Sequence, residues 1–575
     1  MTDSGRSIFI LCYYYSSMKW EILGKSRTGI TGIKSITGIL LKNRGIKTKK
    51  EAGEFFNPTL PEKISLQALG ISKLEISKAI ERIKRAKKNR EKVIVYGDYD
   101  ADGITGTAIL WETLYSLGLN VLPYIPERFS EGYGLNSESI KKLKEEDSDL
   151  GLIITVDHGI VADKKIDIAK KLGIDVIISD HHQPGKVKPK VFATIHTTAV
   201  GGAAVAWFFS REINKILNHQ TPACRQAGLI INHRLDLAAI GTIADQLILV
   251  GLNRSIVKYG LEALRKTNRP GLLSLFEQAG IEKESIGPYE VGFLIAPRIN
   301  AMGRLTHAID SLRLLCTKDK KRAEKLSEYI GRINSERQRI VDEVVIHARD
   351  KLGSAVKDSV IILAHEGYHE GVIGLVAAKL VEEFYKPAIV LSIKGDVSKA
   401  SARSISGFNI IETIRKLEDL CIEGGGHPMA AGFSIETKKI EEFTKRINEL
   451  AKDELTDELL QRKLKIDLEL NFNQINYELL KIIKSFEPTG LGNPAPTFST
   501  REVEVLDARP VGQNGKHLKL KLKKNSEVFD AIAFGQGNIY PELNPEVKLD
   551  IAYNVEENVW NGNKSLQLKI KDIKV

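Results

Sequence analysis

An apolar run in the stretch VIISDHHQ ends in Asp180, His181 and His182. Two adjacent imidazoles and a carboxylate at the end of what reads as a buried strand are suited to binding a divalent cation. A single strand that ends in acidic side chains would not by itself indicate a metal site, because Asp is common in turns and at helix N-caps. The pattern recurs, however, since Asp157 follows the apolar run of LGLIITVDHG.

A third apolar run leads into VYGDYDADG, which spaces the carboxylates of Asp98, Asp100 and Asp102 by two residues. On an extended segment this spacing puts them on one side, where neighbouring acids would reach two ions. Gly103 and Gly106 permit a tight turn at this point. The N-terminus of the helix that follows is expected to accept a phosphate.

A further carboxylate, Asp245, stands at the end of a predicted helix in LAAIGTIADQ. Carboxylates combined with imidazoles select ions such as Mg²⁺ or Mn²⁺. Two such ions, about 4 Å apart, are a common device for cleaving phosphodiesters. One ion lowers the pKa of the attacking water, and the pair stabilises the attacking and the leaving oxygens. The side chains therefore predict a two-metal phosphodiester hydrolase.

These side chains sit in a repeating arrangement of elements. Apolar runs alternate with helical patterns of about ten residues through the region 92–182, which indicates a parallel, doubly wound α/β sheet. Ligands of open α/β sheets bind outside the carboxyl ends of the strands. A single site at that edge would explain why three runs end in metal-competent side chains.

The rest of the chain predicts further domains. Residues 305–350 show a highly charged helical pattern, and a new strand–helix–strand pattern opens at SVIILAHEG and closes near residue 455. After FEPTGLGNPAPTF the chain turns to alternating strands, which suggest a small β-barrel of the oligonucleotide-binding (OB) type. A length of 575 residues also requires several domains.

Composition narrows the class of protein. The net charge of +11 favours a polyanionic partner, although solvated lysine faces would give the same balance. No apolar run reaches the roughly 18 residues of a membrane span. The four cysteines lie far apart without a CxxC pair, so we expect neither a zinc site nor disulfides, and a reducing cytoplasm fits. Residues 1–17 are expected to be a disordered extension before Met18, and the signal-peptide pattern there is weak.

The motifs GDYDADG, TVDHG, SDHHQPG and GTIADQ resemble those of the DHH phosphoesterase superfamily, named for the Asp-His-His triplet at 180–182. IAPRINAMGR, HEGVIGLVAAKL, SARSISGF, EGGGHPMAAG and FEPTGLGNPAPTF are similar to its RecJ family of single-strand-specific 5′→3′ exonucleases. The resemblance runs from about Met18 to the end. It implies a DHH domain with its N-terminal region at 18–316, a connecting helix at 317–352, an α/β DHHA1 domain at 353–455 and an OB fold at 460–575.

The resemblance also implies roles for individual residues. His182 would lie beside the metals near the scissile phosphate, with Asp157 and His181 as its catalytic neighbours. Asp98 and Asp180 would orient a histidine or a water. The implied ligands of two Mn²⁺ or Mg²⁺ ions are Asp100, Asp102, Asp157, His181 and Asp245.

A terminal 5′-phosphate is a dianion that arginine forks, hydroxyls and backbone N–H groups hold well. By resemblance, residues of three motifs and of PERFSEGYG would face the metals across a cleft. They are Arg128, Arg298, Asn300, Arg304, Ser401, Arg403, Gly425, Gly426 and His427, the last three expected on a glycine-rich loop.

Several positions depart from the family pattern. Tyr96 stands where many members have a metal-binding His, and His158 follows Asp157 where Cys or Asn is frequent. The stretch around 196–200 is shortened, and residues 218–234 have no counterpart. We interpret His158 as a neighbour of the metals and not as a ligand.

The leading hypothesis is a single-stranded-DNA-specific 5′→3′ exonuclease of DNA repair and recombination, cytoplasmic and monomeric, assisted by a helicase and a single-strand-binding protein. One alternative is a phosphodiesterase acting on short oligonucleotides or cyclic dinucleotides, which usually lacks an OB region. The other is a non-catalytic DNA-binding replication factor, which would be expected to lose the ligands.

Overall fold

The computed structural model describes residues 18–24, 33–217, 234–353, 356–543, 547–560 and 562–575. The predicted extension at 1–17 and nearly all of the stretch 218–234 lie outside these residues. The chain divides into two compact units. One, here called the sheet unit, comprises Asn57–Thr456 and Gly490–Gly492, and the other, the barrel unit, comprises the chain up to Phe56, Asp457–Thr489 and Asn493–Val575.

The strands fall into four sheets. In chain order they are β1 (Lys19–Ile22), β2 (Lys92–Tyr96), β3 (Val121–Tyr124), β4 (Leu150–Thr155), β5 (Asp175–Asp180), β6 (Ala193–His196), β7 (Ile361–His365), β8 (Ala388–Lys394), β9 (Val397–Arg403), β10 (Cys421–His427), β11 (Ala430–Glu436), β12 (Lys463–Ile466), β13 (Leu468–Glu469), β14 (Phe498–Val511), β15 (His517–Lys524), β16 (Glu527–Ala533), β17 (Lys548–Trp560) and β18 (Asn563–Lys574).

The α-helices, numbered along the described chain, are α1 (Ile33–Asn43), α2 (Lys49–Phe56), α3 (Leu66–Leu69), α4 (Lys73–Asn89), α5 (Ala101–Ser116), α6 (Ser137–Glu146), α7 (Asp163–Lys171), α8 (Gly202–Leu217), α9 (Leu235–Ala244), α10 (Gly251–Arg265), α11 (Pro270–Ala279), α12 (Ala296–Leu305), α13 (Ile309–Cys316), α14 (Lys320–Leu352), α15 (Ile373–Phe384), α16 (Ile410–Arg415), α17 (Ile440–Lys452), α18 (Asp457–Leu460) and α19 (Tyr477–Ser485). A π-helix, Glu290–Ile295, leads into α12.

The first sheet of the sheet unit has the strand order β3-β2-β4-β5-β6, with every pair parallel. Its strands are almost wholly apolar because both faces are covered by helices. From β2 the chain moves to β3 on one side and then to β4 on the other. A crevice therefore opens at the carboxyl ends of β2 and β4, where ligands bind in folds of this class. The predicted doubly wound sheet is confirmed.

A buried ion-pair network fixes α5 against its helical neighbours. Arg269 donates two hydrogen bonds to the carboxylate of Glu112 on α5, at 2.7 and 2.9 Å. Arg234 donates to the same carboxylate at 3.1 Å. Burial raises the pKa of Glu112 on its own, but the two guanidinium groups outweigh it and lower the pKa below its usual value. The network therefore anchors the helix whose first turn carries Asp102.

Helix α14 spans 33 residues, or about 50 Å at 1.5 Å per residue, and confirms the predicted long connecting helix. It leads to a mixed sheet of order β10-β11-β9-β8-β7, in which only β7 and β8 are parallel. The glycine-rich EGGGH stretch forms the edge strand β10, paired antiparallel with β11. The expected glycine-rich loop is therefore wrong, because backbone pairing holds this segment extended.

In the barrel unit, β14, β15, β16, β18 and β17 close into a five-stranded barrel through the β14–β17 pairing, as the predicted OB fold requires. The N-terminal segment also belongs here. Strand β1 pairs in parallel with β12, and the buried side chain of Arg44 bonds Asp467 at 3.1 Å and Asn493 at 2.8 Å. Residues 18–24 and 33–56 thus belong to the barrel unit, while the domain boundaries drawn from the sequence stay predictions.

The described helices include none that is both long and apolar enough to cross a membrane. Cys316 and Cys421 are free thiols, and Cys12 and Cys224 lie outside the described residues.

Candidate metal centre

The carboxyl edge of the parallel sheet gathers the predicted acids and histidines. Their ligand atoms form overlapping groups in which all atoms lie within 4.8 Å of one another. The groups are Asp98 with Asp100 and Asp157, Asp102 with His181 and Asp245, and Asp157 with His181 and His182. All five predicted ligands, together with Asp98 and His182, are thus brought to one place.

The acids of DYDAD reach this place in a way that the sequence analysis did not anticipate. Asp100 is the N-cap of α5, and its carboxylate accepts hydrogen bonds from the backbone N–H groups of Asp102 and Gly103, both at 3.0 Å. Asp102 already lies in the first turn of the helix. The prediction of one extended segment is therefore wrong, because N-capping by Asp100 starts the helix inside the motif.

The N-terminus of α5 is also not the phosphate site that the sequence predicted. Two of its first N–H groups are bound by Asp100, and the third, of Ala101, donates to the side-chain oxygen of Asn300 at 2.7 Å. With these donors satisfied inside the protein, the helix end has no free N–H groups in its first turn to offer an anion. Asn300 accordingly holds α5 in place.

Asp102 is positioned by a second helix. The N–H groups of Gly202 and Ala203, at the start of α8, donate to its two carboxylate oxygens at 2.7 and 3.0 Å. Each carboxylate oxygen keeps a further lone pair for a metal ion. Gly202 and Ala203 of AVGGAAVAWFF therefore take part in the site, a role that the sequence of this shortened stretch did not indicate.

Gly202 leaves room for the central carboxylate. A Cβ atom at this position would lie 2.4 Å from Oδ1 of Asp157, far inside van der Waals contact. Gly202→Ala is therefore expected to push Asp157 out of place and weaken Mn²⁺ binding about tenfold to 100-fold, as measured by calorimetry.

The matched control is Gly292→Ala, because a Cβ atom there would meet its nearest neighbour at 3.8 Å. Equal Mn²⁺ affinity in Gly202→Ala and Gly292→Ala would show that Asp157 does not hold an ion in its present position.

Asp157 has a strained backbone conformation and a carboxylate that lacks a compensating partner in the described part of the chain. Its φ of +68° lies in the left-handed region, which costs a non-glycine residue about 1 to 3 kcal/mol. Its Oδ1 atom is buried and accepts no hydrogen bond from the described residues, although Nε2 of His181 lies 3.1 Å away. Burial and then the nearby charges of Asp102 and Asp100 raise the pKa of Asp157 well above its usual value. A divalent cation would relieve both the repulsion and the missing contact, so these residues fit a metal ion.

The same electrostatic pattern extends to the other acids. Burial raises the pKa of Asp102 well above its usual value, with further contributions from Asp245 and Asp100. Burial and then Asp100 raise the pKa of Asp245 to about 7. The pKa of Asp98 is raised in the same way, and its Oδ1 atom is buried with no hydrogen-bond partner in the described chain. Neighbouring carboxylates whose pKa values are raised by burial and by one another are typical of sites that bind a cation.

The two histidines have different surroundings. His181 places Nε2 at 3.1 Å from Oδ1 of Asp157 and at 3.7 Å from Asp245, and burial lowers its pKa to about 4, which suits a neutral metal ligand. His182 bonds Oδ1 of Asp180 through Nδ1 at 2.8 Å. Burial lowers the pKa of His182, but the bond with Asp180 outweighs it and the net shift is upward.

Asp180 is an orienting carboxylate in this geometry. Burial would raise its pKa, but hydrogen bonds from His182 and from the N–H of Ile160 lower it to about 2. It therefore stays ionised and holds the imidazole of His182 by Nδ1. Asp180 is absent from the three groups of candidate ligand atoms, as the orienting role predicts.

The two departures from the family pattern lie away from those groups. The ring of Tyr96 is buried against Tyr124 and His158 at the back of the site. His158 bonds the carbonyl of Tyr96 through Nε2 at 2.9 Å, and burial lowers its pKa to about 4. Tyr96 and His158 therefore pack against each other and are absent from the groups of candidate ligand atoms.

Beside the carboxylates lies a cavity of about 700 Å³ within the sheet unit. Arg128, Arg304 and Arg403 line it together with Ser401 and Gly425. In the part of the chain that the structure describes, none of the three guanidinium groups forms an ion pair. Burial and the charges of Arg128, Arg337 and Arg403 lower the pKa of Arg304 to about 10. The two acids of the lining, Glu370 and Glu423, pair with Lys394 and Lys399, so the three guanidinium groups make this cavity suited to an anion.

The other predicted substrate residues lie outside the cavity lining. Arg298 bonds Gln278 at 3.0 Å and the carbonyl of Leu294 at 2.8 Å. Gly426 and His427 end the edge strand β10, whereas Gly424 and Gly425 on the same strand reach the cavity. His369 lies behind it, with its ring 5.5 Å from that of Phe129.

Sequence reasoning missed several lining residues. Tyr99 stacks under the guanidinium of Arg128 at 5.1 Å, and Tyr133 contacts both the cavity and His182. Lys399 enters from β9. The tyrosines stand inside quoted motifs, between the acids of DYDAD and in SEGYG, so proximity to those motifs was the available signal.

Comparison with known proteins agrees with this architecture. Family models match residues 92–242 (DHH family, N-terminal domain), 357–453 (DHHA1 domain) and 466–572 (RecJ OB domain). The single-stranded-DNA-specific exonuclease RecJ of Bacillus subtilis is 36% identical, with 97% of this chain and 71% of the relative covered. The Escherichia coli enzyme of the same name is 31% identical, with 93% and 95% covered.

Solved structures agree as well. The crystal structure of Thermus thermophilus RecJ in complex with Mn²⁺ has a TM-score of 0.81 at 29% identity, covering 98% of this chain and 80% of that one. The complex of that protein with Mg²⁺ has a TM-score of 0.74 at 27% identity, covering 97% and 78%. From its three domains and its extended similarity to these relatives, the chain belongs to the RecJ family of the DHH phosphoesterases.

Proposed function

We propose that this protein is a single-stranded-DNA-specific 5′→3′ exonuclease that releases nucleoside monophosphates by metal-dependent phosphodiester hydrolysis. One observation carries the proposal: a carboxylate and histidine cluster lies directly beside a cavity lined by three arginines that form no ion pair with any described residue. The relatives described above are named single-stranded-DNA-specific exonucleases, which agrees with it.

We propose that Asp100, Asp102, Asp157, His181 and Asp245 hold two Mn²⁺ or Mg²⁺ ions, with Asp157 central because its carboxylate belongs to two of the groups. Such ions, when bound, supply a nucleophile at neutral pH and stabilise charge on the attacking and leaving oxygens. Asp98 neighbours these acids and Asp180 orients His182. The imidazole of His182 is held at the open side of the cluster, where it contacts the scissile phosphate.

We propose that the arginine cavity sets the 5′→3′ direction of digestion. A terminal 5′-phosphate carries two negative charges and is bound well by guanidinium forks. With that phosphate held by Arg128, Arg304, Arg403 and Ser401, the next phosphodiester along the strand reaches the carboxylates. We propose that this cavity, about 700 Å³ in volume, admits the end of a single strand and not a duplex. We propose that Arg298, Asn300, Gly426 and His427, which lie outside the cavity lining, contact the strand beyond its terminal phosphate.

The remaining features of the proposal concern context. We propose the domain boundaries 18–316, 317–352, 353–455 and 460–575, with the part of the first range before Asn57 belonging to the barrel unit, and with the barrel guiding single-stranded DNA. The enzyme acts as a cytoplasmic monomer in DNA repair and recombination, where a helicase and a single-strand-binding protein supply and protect the strand. The basic composition suits a polyanionic substrate.

The test is a degradation assay with 5′-labelled and 3′-labelled single strands and with duplex. We expect mononucleotides to be released from the labelled 5′ end with Mn²⁺ or Mg²⁺, and EDTA to abolish release. The 3′-labelled strand should shorten progressively, and blunt duplex should resist.

Other outcomes would replace the proposal. Cleavage restricted to di- to pentanucleotides or cyclic dinucleotides would identify a small-substrate phosphodiesterase. Binding of long single strands without cleavage in either metal would identify a non-catalytic DNA-binding factor.

A further inference from the structure

A tyrosine that the proposed mechanism does not use lies between two of its central residues. Tyr133 stands in the segment between β3 and α6, flanked by Gly132 and Gly134, whose φ angles are +78° and +70°. Two left-handed residues around one side chain form a sharp double turn that few other residues tolerate. The turn aims the Tyr133 ring at the carboxyl edge of the sheet.

The hydroxyl of Tyr133 contacts two parts of the site at once. It donates a hydrogen bond to the backbone carbonyl of Asp157 at 3.0 Å. It also lies 3.3 Å from Nε2 of His182. Since a carbonyl can only accept, the single hydroxyl proton points to Asp157, and Nε2 of His182 contacts the hydroxyl oxygen without receiving that proton.

This contact completes the support of both residues. The N–H of Asp157 donates to the carbonyl of Ser179 at 2.9 Å, so the left-handed residue is held on one side by β5 and on the other by Tyr133. The imidazole of His182 is bound by Asp180 through Nδ1 and faces Tyr133 through Nε2. The Tyr133 hydroxyl, 3.3 Å from Nε2, therefore limits the rotation of the ring at the edge that the bond at Nδ1 does not hold.

We propose that Tyr133 is a positioning residue of the reaction, whose hydroxyl couples the strained backbone of Asp157 to the imidazole of His182. It fixes the distance between the carboxylate that holds the ions and the histidine that meets the phosphate. The inference rests on the proposed function for its kinetic consequence, although the coupling itself is a property of the metal-free protein.

The kinetic test compares Tyr133→Phe with wild type on 5′-phosphorylated single-stranded DNA at saturating Mn²⁺. Loss of an orienting hydrogen bond is expected to lower kcat about tenfold with KM within about twofold, because the ring and the cavity are kept. In a His182→Ala background the same change should lower kcat less than about threefold, since the residue being oriented is gone.

The matched control is Tyr124→Phe. Its hydroxyl bonds Glu131 at 2.7 Å and so braces the same segment without touching the metal cluster. We expect wild-type kcat from this variant. A wild-type kcat in Tyr133→Phe, an equal loss in the His182→Ala background, or an equal loss in Tyr124→Phe would each overturn the inference.

A second readout does not depend on activity. Hydrogen exchange in the metal-free protein, followed by mass spectrometry, should be faster around residues 155–160 in Tyr133→Phe than in Tyr124→Phe or wild type. Unchanged exchange would refute the coupling. If exchange changes as expected in a protein that cuts no DNA, the proposed function fails while the coupling stands.

Discussion

Asp157→Ala is expected to lower the rate of nucleotide release about 10⁴-fold at saturating Mn²⁺. The carboxylate of Asp157 is shared by two of the three groups of candidate ligand atoms. Its removal takes one oxygen ligand from each, and the remaining acids repel one another without a shared cation. The same variant should bind Mn²⁺ more weakly by calorimetry, which separates lost metal from a damaged cavity.

Two further variants make this expectation specific. Asp157→Asn keeps the size of the side chain and should be nearly as inactive, because the amide oxygen carries no negative charge. Asp163→Ala removes a partly exposed acid at the start of α7, six residues away, and should behave as wild type. If Asp157→Ala kept more than about a tenth of the wild-type rate with normal Mn²⁺ affinity, the metal-centre assignment would be wrong.

Much of the fold was predictable because its signals are local. Each strand of the parallel sheet reads as a continuous apolar run, and the acids that follow must meet at the carboxyl edge once the strands are parallel. Asp157 and His181, far apart in the chain, were placed in one site by this argument alone. The barrel followed from the alternating pattern of its strands.

The features that the sequence did not predict depend on contacts between segments that are distant in the chain. The N–H groups of Gly202 and Ala203 cradle Asp102, which precedes them by about a hundred residues. Strand β1 pairs with β12 across more than four hundred residues. No periodicity within either segment marks its partner, so such pairings are decided by packing and not by local propensity.

Local conformation misled in one place for a physical reason. An alternating DYDAD reads as extended, but an aspartate is also among the best N-caps, and here Asp100 starts the helix. The result places Asp98 and Asp100 on a loop and Asp102 on α5. A helix start inside the motif lets α5 and α8 together fix Asp102, which a flexible extended segment would leave mobile.

Arg403→Ala is expected to reduce the preference for a 5′-phosphorylated over a 5′-hydroxyl strand about 100-fold, which corresponds to about 3 kcal/mol. Arg403 lines the cavity and donates to the carbonyl of Ala402 at 2.8 Å, with Ser401 beside it at 3.3 Å. Burial and the charge of Arg128 lower its pKa, so an incoming dianion would meet a cation that lacks a counter-charge. The measurement is kcat/KM on two strands that differ only at the 5′ end.

Arg403 is a better residue for this substitution than Arg304. Arg304 is more deeply buried, so replacing it is expected to destabilise the fold. Arg403→Lys keeps the charge without the planar fork and should recover part of the preference. Arg415 lies on the exposed side of α16 in the same part of the chain. Arg415→Ala should therefore leave kcat/KM unchanged on both strands. An equal fall of kcat/KM on both strands in Arg403→Ala would show that the arginine contacts the strand beyond its terminal phosphate. Residues outside this cavity would then have to set the direction of digestion. A cavity that does not recognise the 5′-phosphate would not favour entry of the 5′ end over the 3′ end.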